Sequence, residues 1–177
     1  MNPLAVPLLL CVITLGSGWM NRSLAAAEVQ SSAPCSAPQY RQFDFWLGDW
    51  DLFDANPNAP VARAKVSSIL DGCVLLEEYE GADGSKGKSF STYDFSRDIW
   101  HQTWVTNRGK LLWIEGHYIN GEIVLSGVEH TSSGLERQVR GTWKQVREGV
   151  RETAVTSTDG GRHWELWFDL MFRPHHP

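Results

Sequence analysis

The chain has 177 residues, 42% of them hydrophobic, and a formal net charge of −5. That length allows one domain with a removable leader, and the composition is that of an ordinary folded chain. An acidic balance without any Lys/Arg cluster argues against nucleic acid or an acidic membrane surface as partner, because both demand a basic face. Nine Trp are the unusual count, each a large, rigid apolar surface with one N–H to satisfy.

In chain order, residues 1–27 predict a signal peptide. Leu4 to Leu15 form an apolar stretch, and the small residues Ala25, Ala26 and Ala27 predict cleavage after Ala27. The expected location is periplasmic or secreted, with no membrane contact once the leader is removed. Cys11 leaves with the leader, so the mature chain keeps Cys35 and Cys73. In an oxidising compartment two thiols predict one disulfide, and no His stands at ligand spacing from either to suggest a metal site.

Residues 28–38 are small and polar with two prolines and predict a linker or draped extension. From residue 39 to 177 the pattern predicts one all-β domain. A short helical turn is expected over 41–47. Strands are expected near 50–54, 61–70, 73–80, 88–94, 99–106, 111–119, 122–128, 136–144, 150–158 and 162–172. Asn120-Gly121 is a strong two-residue hairpin signal. Asp71-Gly72, Asn107-Arg108-Gly109, Glu148-Gly149 and Asp159-Gly160-Gly161 punctuate the rest. About ten strands joined by short turns predict an antiparallel up-and-down β-barrel, since closure removes exposed edges.

The strongest motif is FDFWLGDWD, Phe43 to Asp51. Its Gly48-Asp49-Trp50 at the start of the first strand resembles the signature of the calycin superfamily, the lipocalin and fatty-acid-binding-protein-like barrels. That resemblance implies that Trp50 closes the barrel floor beneath Arg173 from the last strand, an indole–guanidinium contact contributing about 0.5–2 kcal/mol. The chain is also similar to a family of secreted bacterial proteins of unknown function. FDFWLGDWD, LDGCVLLEEYEG (Leu70 to Gly81), WHQTWV (Trp100 to Val105), RGTW (Arg140 to Trp143) and STDGGRHW (Ser157 to Trp164) carry the similarity. Ser91, Thr106, Ala154 and Val155 depart from that family's pattern towards smaller or less polar side chains.

Alternation along strands assigns faces once hairpin registers are set. Tight turns at Ser96-Arg97, Arg108-Gly109 and Asn120-Gly121 place Ser91, Tyr93, Trp100, Gln102, Trp104, Trp113, Glu115 and His117 on one face. The other carries Phe90, His101, Thr103, Val105, Leu112, Ile114, Tyr118, Ile123 and Leu125. A barrel of this size encloses a cavity, and ligand cavities are mainly aromatic and apolar with a few placed polar groups. The Trp-rich face fits that description and is assigned to the lumen; the alternative is a dry core built from the aliphatic face.

The expected ligand-binding residues are therefore Tyr93, Trp100, Gln102, Trp104, Trp113, Glu115, His117 and Arg140, the last as a bidentate carboxylate clamp. Glu115 and His117 are the candidate catalytic base and acid if the lumen does chemistry. Glu77, Glu78 and Glu80 are a second source of carboxylates, with alternation turning at most some of them inward. The expected role is binding of a small apolar or aromatic molecule without a cofactor. The alternatives are a cofactor-independent isomerase, cyclase or hydratase, a haem-binding barrel using one of His101, His117, His130 or His163, and a packed structural module. No phosphate-binding loop, GxSxG, HExxH or CxxC occurs.

Overall fold

The computed structural model describes residues 33–131 and 133–176, so the predicted leader, its cleavage after Ala27 and residues 28–32 lie outside the described residues. Ten strands follow the expected limits: β1 (Gly48–Phe53), β2 (Ala62–Ile69), β3 (Val74–Gly81), β4 (Lys86–Asp94), β5 (Ile99–Thr106), β6 (Leu111–Ile119), β7 (Glu122–His130), β8 (Glu136–Val146), β9 (Gly149–Ser157) and β10 (Glu165–Pro174). Each pairs antiparallel with its neighbours in sequence, and β1 also pairs with β10. The sheet is thus a closed up-and-down barrel, as expected. The helical turn forms as two short 3-10 segments, Pro38–Arg41 and Asp44–Trp46.

Period-2 burial decides what fills the interior. Trp50 and Leu52 on β1, Ala62, Ala64 and Val66 on β2, and Phe172 on β10 all turn inward. The two 3-10 turns lay Phe43 and Trp46 across one end of the barrel. These rings stack at 4.9 Å, and Trp100, Trp143 and Phe172 meet them edge-on or tilted within 6.0 Å. That end is an aromatic plug.

The plug is anchored from its N-terminal side. Cys35 and Cys73 form the expected disulfide, with Cα atoms 5.0 Å apart. Arg41 donates to the Gly72 carbonyl and pairs with Asp44 at 3.3 Å. A link spanning 38 residues removes about 4 kcal/mol of chain entropy from the unfolded state. Cys73→Ser is therefore expected to lower the unfolding free energy by about 2–4 kcal/mol in a urea titration. Identical unfolding curves with and without reductant would overturn this.

Two expected placements are corrected. Trp50 does reach the floor, where its indole N–H donates to the Trp46 carbonyl at 2.9 Å and its ring meets Phe172 at 6.4 Å. Arg173 is not above it. Asp51 pairs with Arg173 across β1 and β10, so Arg173 shares the outward parity and lies over the Phe53 ring at 4.5 Å.

The second correction concerns the β5–β6 hairpin. Its loop holds three residues, Asn107, Arg108 and Gly109, closed by Thr106 N–H to the Lys110 carbonyl, with Gly109 at φ 71°. A three-residue loop ending in a left-handed glycine is a standard alternative to the two-residue turn. Asn107 is fixed by the adjacent β3–β4 hairpin, accepting from Lys86 N–H and donating to the Gly84 carbonyl. Trp104 therefore faces Leu112 rather than Trp113, and Gln102 faces Ile114 rather than Glu115. One residue of slip turns every later side chain to the other face.

Candidate functional site

Above the plug the barrel encloses a cavity of about 420 Å³, within the range of small-molecule pockets (about 300–1,000 Å³). Its aromatic walls are Tyr79, Trp104, Trp143, Trp167, Phe168 and Phe172. Trp167 and Phe168 both reach it because β10 is irregular against β9 between Leu166 and Phe168, a bulge that lets consecutive residues share a face. Trp104 meets Tyr79 edge-on at 5.7 Å. Gly87 makes room for that indole: a Cβ there would lie 2.2 Å from the Trp104 ring.

Of the eight residues expected to bind a ligand, the structure brings two to the cavity. Gln102 lines it, donating to Ser91 at 3.0 Å, and so does Trp104. Tyr93 and Trp100 point inward but are spent on the plug, where Trp100 donates to Gln42 at 3.0 Å and Tyr93 packs on Tyr40 at 5.3 Å. Trp113, Glu115 and His117 lie on the outer wall, carried there by the three-residue loop. Trp113 is 54% exposed and stacks on His101. Glu115 receives Arg97 at 2.8 Å and His101 at 3.1 Å, and the Arg97 hydrogen bonds hold its carboxyl below the usual range. Arg140 is outside as well, over the Trp164 ring at 4.3 Å. The expected Glu115–His117 acid–base pair is thus not in the lumen.

The lumen instead contains two carboxyl groups, Glu77 from β3 and Glu152 from β9. Glu77 is buried and accepts from Ser89 Oγ at 2.8 Å. Burial pushes its proton affinity up to about 7. Glu152 is raised well above the usual range by burial first, then by the charge of Glu77. Glu152 is half-buried and lines the cavity. Trp143 pairs with Glu152 across β8 and β9 and favours its charged form, although the Trp143 indole N–H, in a residue 2% exposed, closes no hydrogen bond of normal geometry.

The rim carries cations, and each has a carboxylate of its own. Lys86 pairs with Glu80 at 2.7 Å, Arg108 with Asp83 at 2.9 Å, and Lys110 with Glu129. Glu129 is the instructive comparison. Burial opposes its ionisation, yet hydrogen bonds from Lys110 and Arg137 hold its carboxyl low. Among the described residues, no such cation reaches Glu77 or Glu152.

Alternation could have found both carboxyls. Glu77 shares parity with Leu75 and Tyr79, and Glu152 with Val150 and Ala154. Glu77 is one of three glutamates close together on β3, and Glu152 stands in no motif. Among the described residues no three His, Cys, Asp or Glu gather to hold a metal ion. His101, His117, His130 and His163 all lie away from the cavity wall, so the histidines do not fit an axially ligated haem in the lumen. No protein-family model matches the chain, and a search of curated proteins finds no match.

Proposed function

We propose that the barrel binds a small, largely apolar or aromatic molecule in its lumen. The observation that carries this reading is the cavity of about 420 Å³ walled by Trp104, Trp143, Trp167 and Tyr79. Such walls bury a flat ligand by stacking and exclude water from it. The ten-stranded closure and the floor position of Trp50 support the calycin-like reading. The Cys35–Cys73 disulfide supports a periplasmic or secreted location.

The test is a panel of apolar and aromatic probes followed by tryptophan fluorescence. Trp104→Ala is expected to weaken binding by about 5- to 30-fold, the equivalent of about 1–2 kcal/mol of lost stacking. Trp113→Ala, His117→Ala and Arg140→Ala are expected to leave affinity unchanged, because all three lie outside. No binding by any probe, or a loss at Trp113 matching that at Trp104, would refute the reading.

The inward carboxyl pair favours a second reading. A carboxylic acid titrating near neutrality beside another is suited to moving protons in an enclosed site. On this reading Glu77 and Glu152, in place of Glu115 and His117, take the acid–base roles in a cofactor-independent isomerisation, cyclisation or hydration. Turnover lost in Glu77→Gln with binding retained would favour the enzyme.

A further inference from the structure

Two acidic side chains inside a barrel are costly unless something compensates them, and this chain compensates its other buried carboxylate with built-in cations. Glu129 has Lys110 and Arg137. Glu77 and Glu152 have none among the described residues, although they line the same cavity from strands four apart around the wall. Each rim cation is already engaged with a surface or buried carboxylate. Resting on the lumen-binding reading above, we propose that the cavity takes an organic cation: a protonated amine on an aromatic or other hydrophobic body, its ammonium between Glu77 and Glu152 and its ring against Trp104 and Trp143.

Three features of the site support this occupant. Trp104 and Trp143 line the cavity, and an indole face attracts a cation more strongly when water is excluded. The ammonium supplies the charge that lets both carboxyls ionise, since an opposite charge within a few ångström favours the charged form. Ionised Glu152 then becomes a stronger acceptor for the Trp143 N–H on the strand beside it, which closes no hydrogen bond of normal geometry among the described residues.

In the empty barrel burial keeps a proton on Glu77 up to about pH 7 and on Glu152 beyond the usual carboxylate range. Entry of an already protonated amine displaces those protons to solvent; no covalent bond forms. The other titratable groups facing the cavity are Tyr79, Lys86, Arg108 and Lys110. Burial raises the Tyr79 phenol, so it stays neutral through this range. Ammonium binding should therefore strengthen as pH rises through about 7 and persist until the amine itself deprotonates at around pH 10.

The experiment is calorimetric titration of the disulfide-bonded mature protein with three matched probes: tryptamine, 3-methylindole and indole-3-propionate. At about pH 8 tryptamine should bind at least about tenfold more tightly than 3-methylindole, with the propionate weakest. That advantage should shrink by about tenfold near pH 5.5, and repeating the pH 8 titration in buffers of different ionisation enthalpy should show proton release. Glu77→Gln and Glu152→Gln should each lose the preference for tryptamine while still binding 3-methylindole, which also shows that they fold. The pH profile of the unaltered protein carries the test if a variant does not fold. Equal or tighter binding of 3-methylindole, or a flat pH profile, overturns the amine inference and leaves the lumen reading standing. Failure of all three probes to bind overturns both.

Discussion

Glu77→Gln is expected to make the barrel more stable at about pH 8, by roughly 3 kcal/mol, and to change it little below about pH 4.5. Glu77 carries its proton up to about 7 in the fold, against an ordinary value of 4.5. A carboxyl raised on folding binds more protons in the native state, so native stability falls as pH climbs from its unfolded value through its folded one. Below about 4.5 both states are protonated and the group is neutral in effect; above about 7 the full cost is present. Glutamine keeps the acceptor for Ser89 and discards the charge. It also relieves Glu152, whose raised affinity owes part of its size to Glu77.

The surface carboxylates act in the opposite sense. Asp83, Asp94 and Asp159 are held down to about 2, chiefly by hydrogen bonds from the Ser85 side chain, the Ser96 side chain and the His163 N–H respectively. Their contribution is present above the ordinary value near 4 and lost as pH falls through about 2, equally in both proteins. The difference between wild type and variant therefore isolates the lumen. Urea midpoints measured from about pH 5 to pH 8 should converge at the acid end and separate at the alkaline end. Parallel curves would show that Glu77 is solvated and the cavity wet.

The second large effect is expected at the plug. Trp46→Ala should cost about 3–5 kcal/mol, the usual range for emptying a buried aromatic site. Trp46 is 1% exposed, stacked on Phe43 at 4.9 Å and in edge or tilted contact with Trp143 and Phe172. Few neighbours can move to fill the hole, because each is itself held by another ring. Trp46→Phe should cost less than half as much. The Trp46 indole N–H has no partner among the described residues, so phenylalanine forfeits no hydrogen bond to them. Thermal unfolding of the two variants checks this; a fall below about 1 kcal/mol for Trp46→Ala would mean that the 3-10 turns are not an integral stopper.

These effects depend on features of unequal visibility in the sequence. Strand positions were readable because alternation and turn residues are local: β5 and β6 occupy 99–106 and 111–119 as expected. The register of the Asn120-Gly121 hairpin was readable for the same reason, with His117 opposite Val124. The face of Trp113, Glu115 and His117 was not. Loops of two and three residues suit Asn107-Arg108-Gly109 about equally, yet they differ in parity, and the choice rests on Asn107 bonding to a hairpin some twenty residues earlier.

The sequence by itself determined the all-β class, the strand count, the up-and-down order and the Cys35–Cys73 pairing, each a matter of period, turn chemistry or cysteine count. Only the tertiary structure decided which side chains share the lumen. Glu77 and Glu152 are 75 positions apart and meet because β1 pairs with β10, bringing β3 and β9 around one cavity. No local pattern encodes that meeting, since closure of the barrel is a property of all ten strands at once.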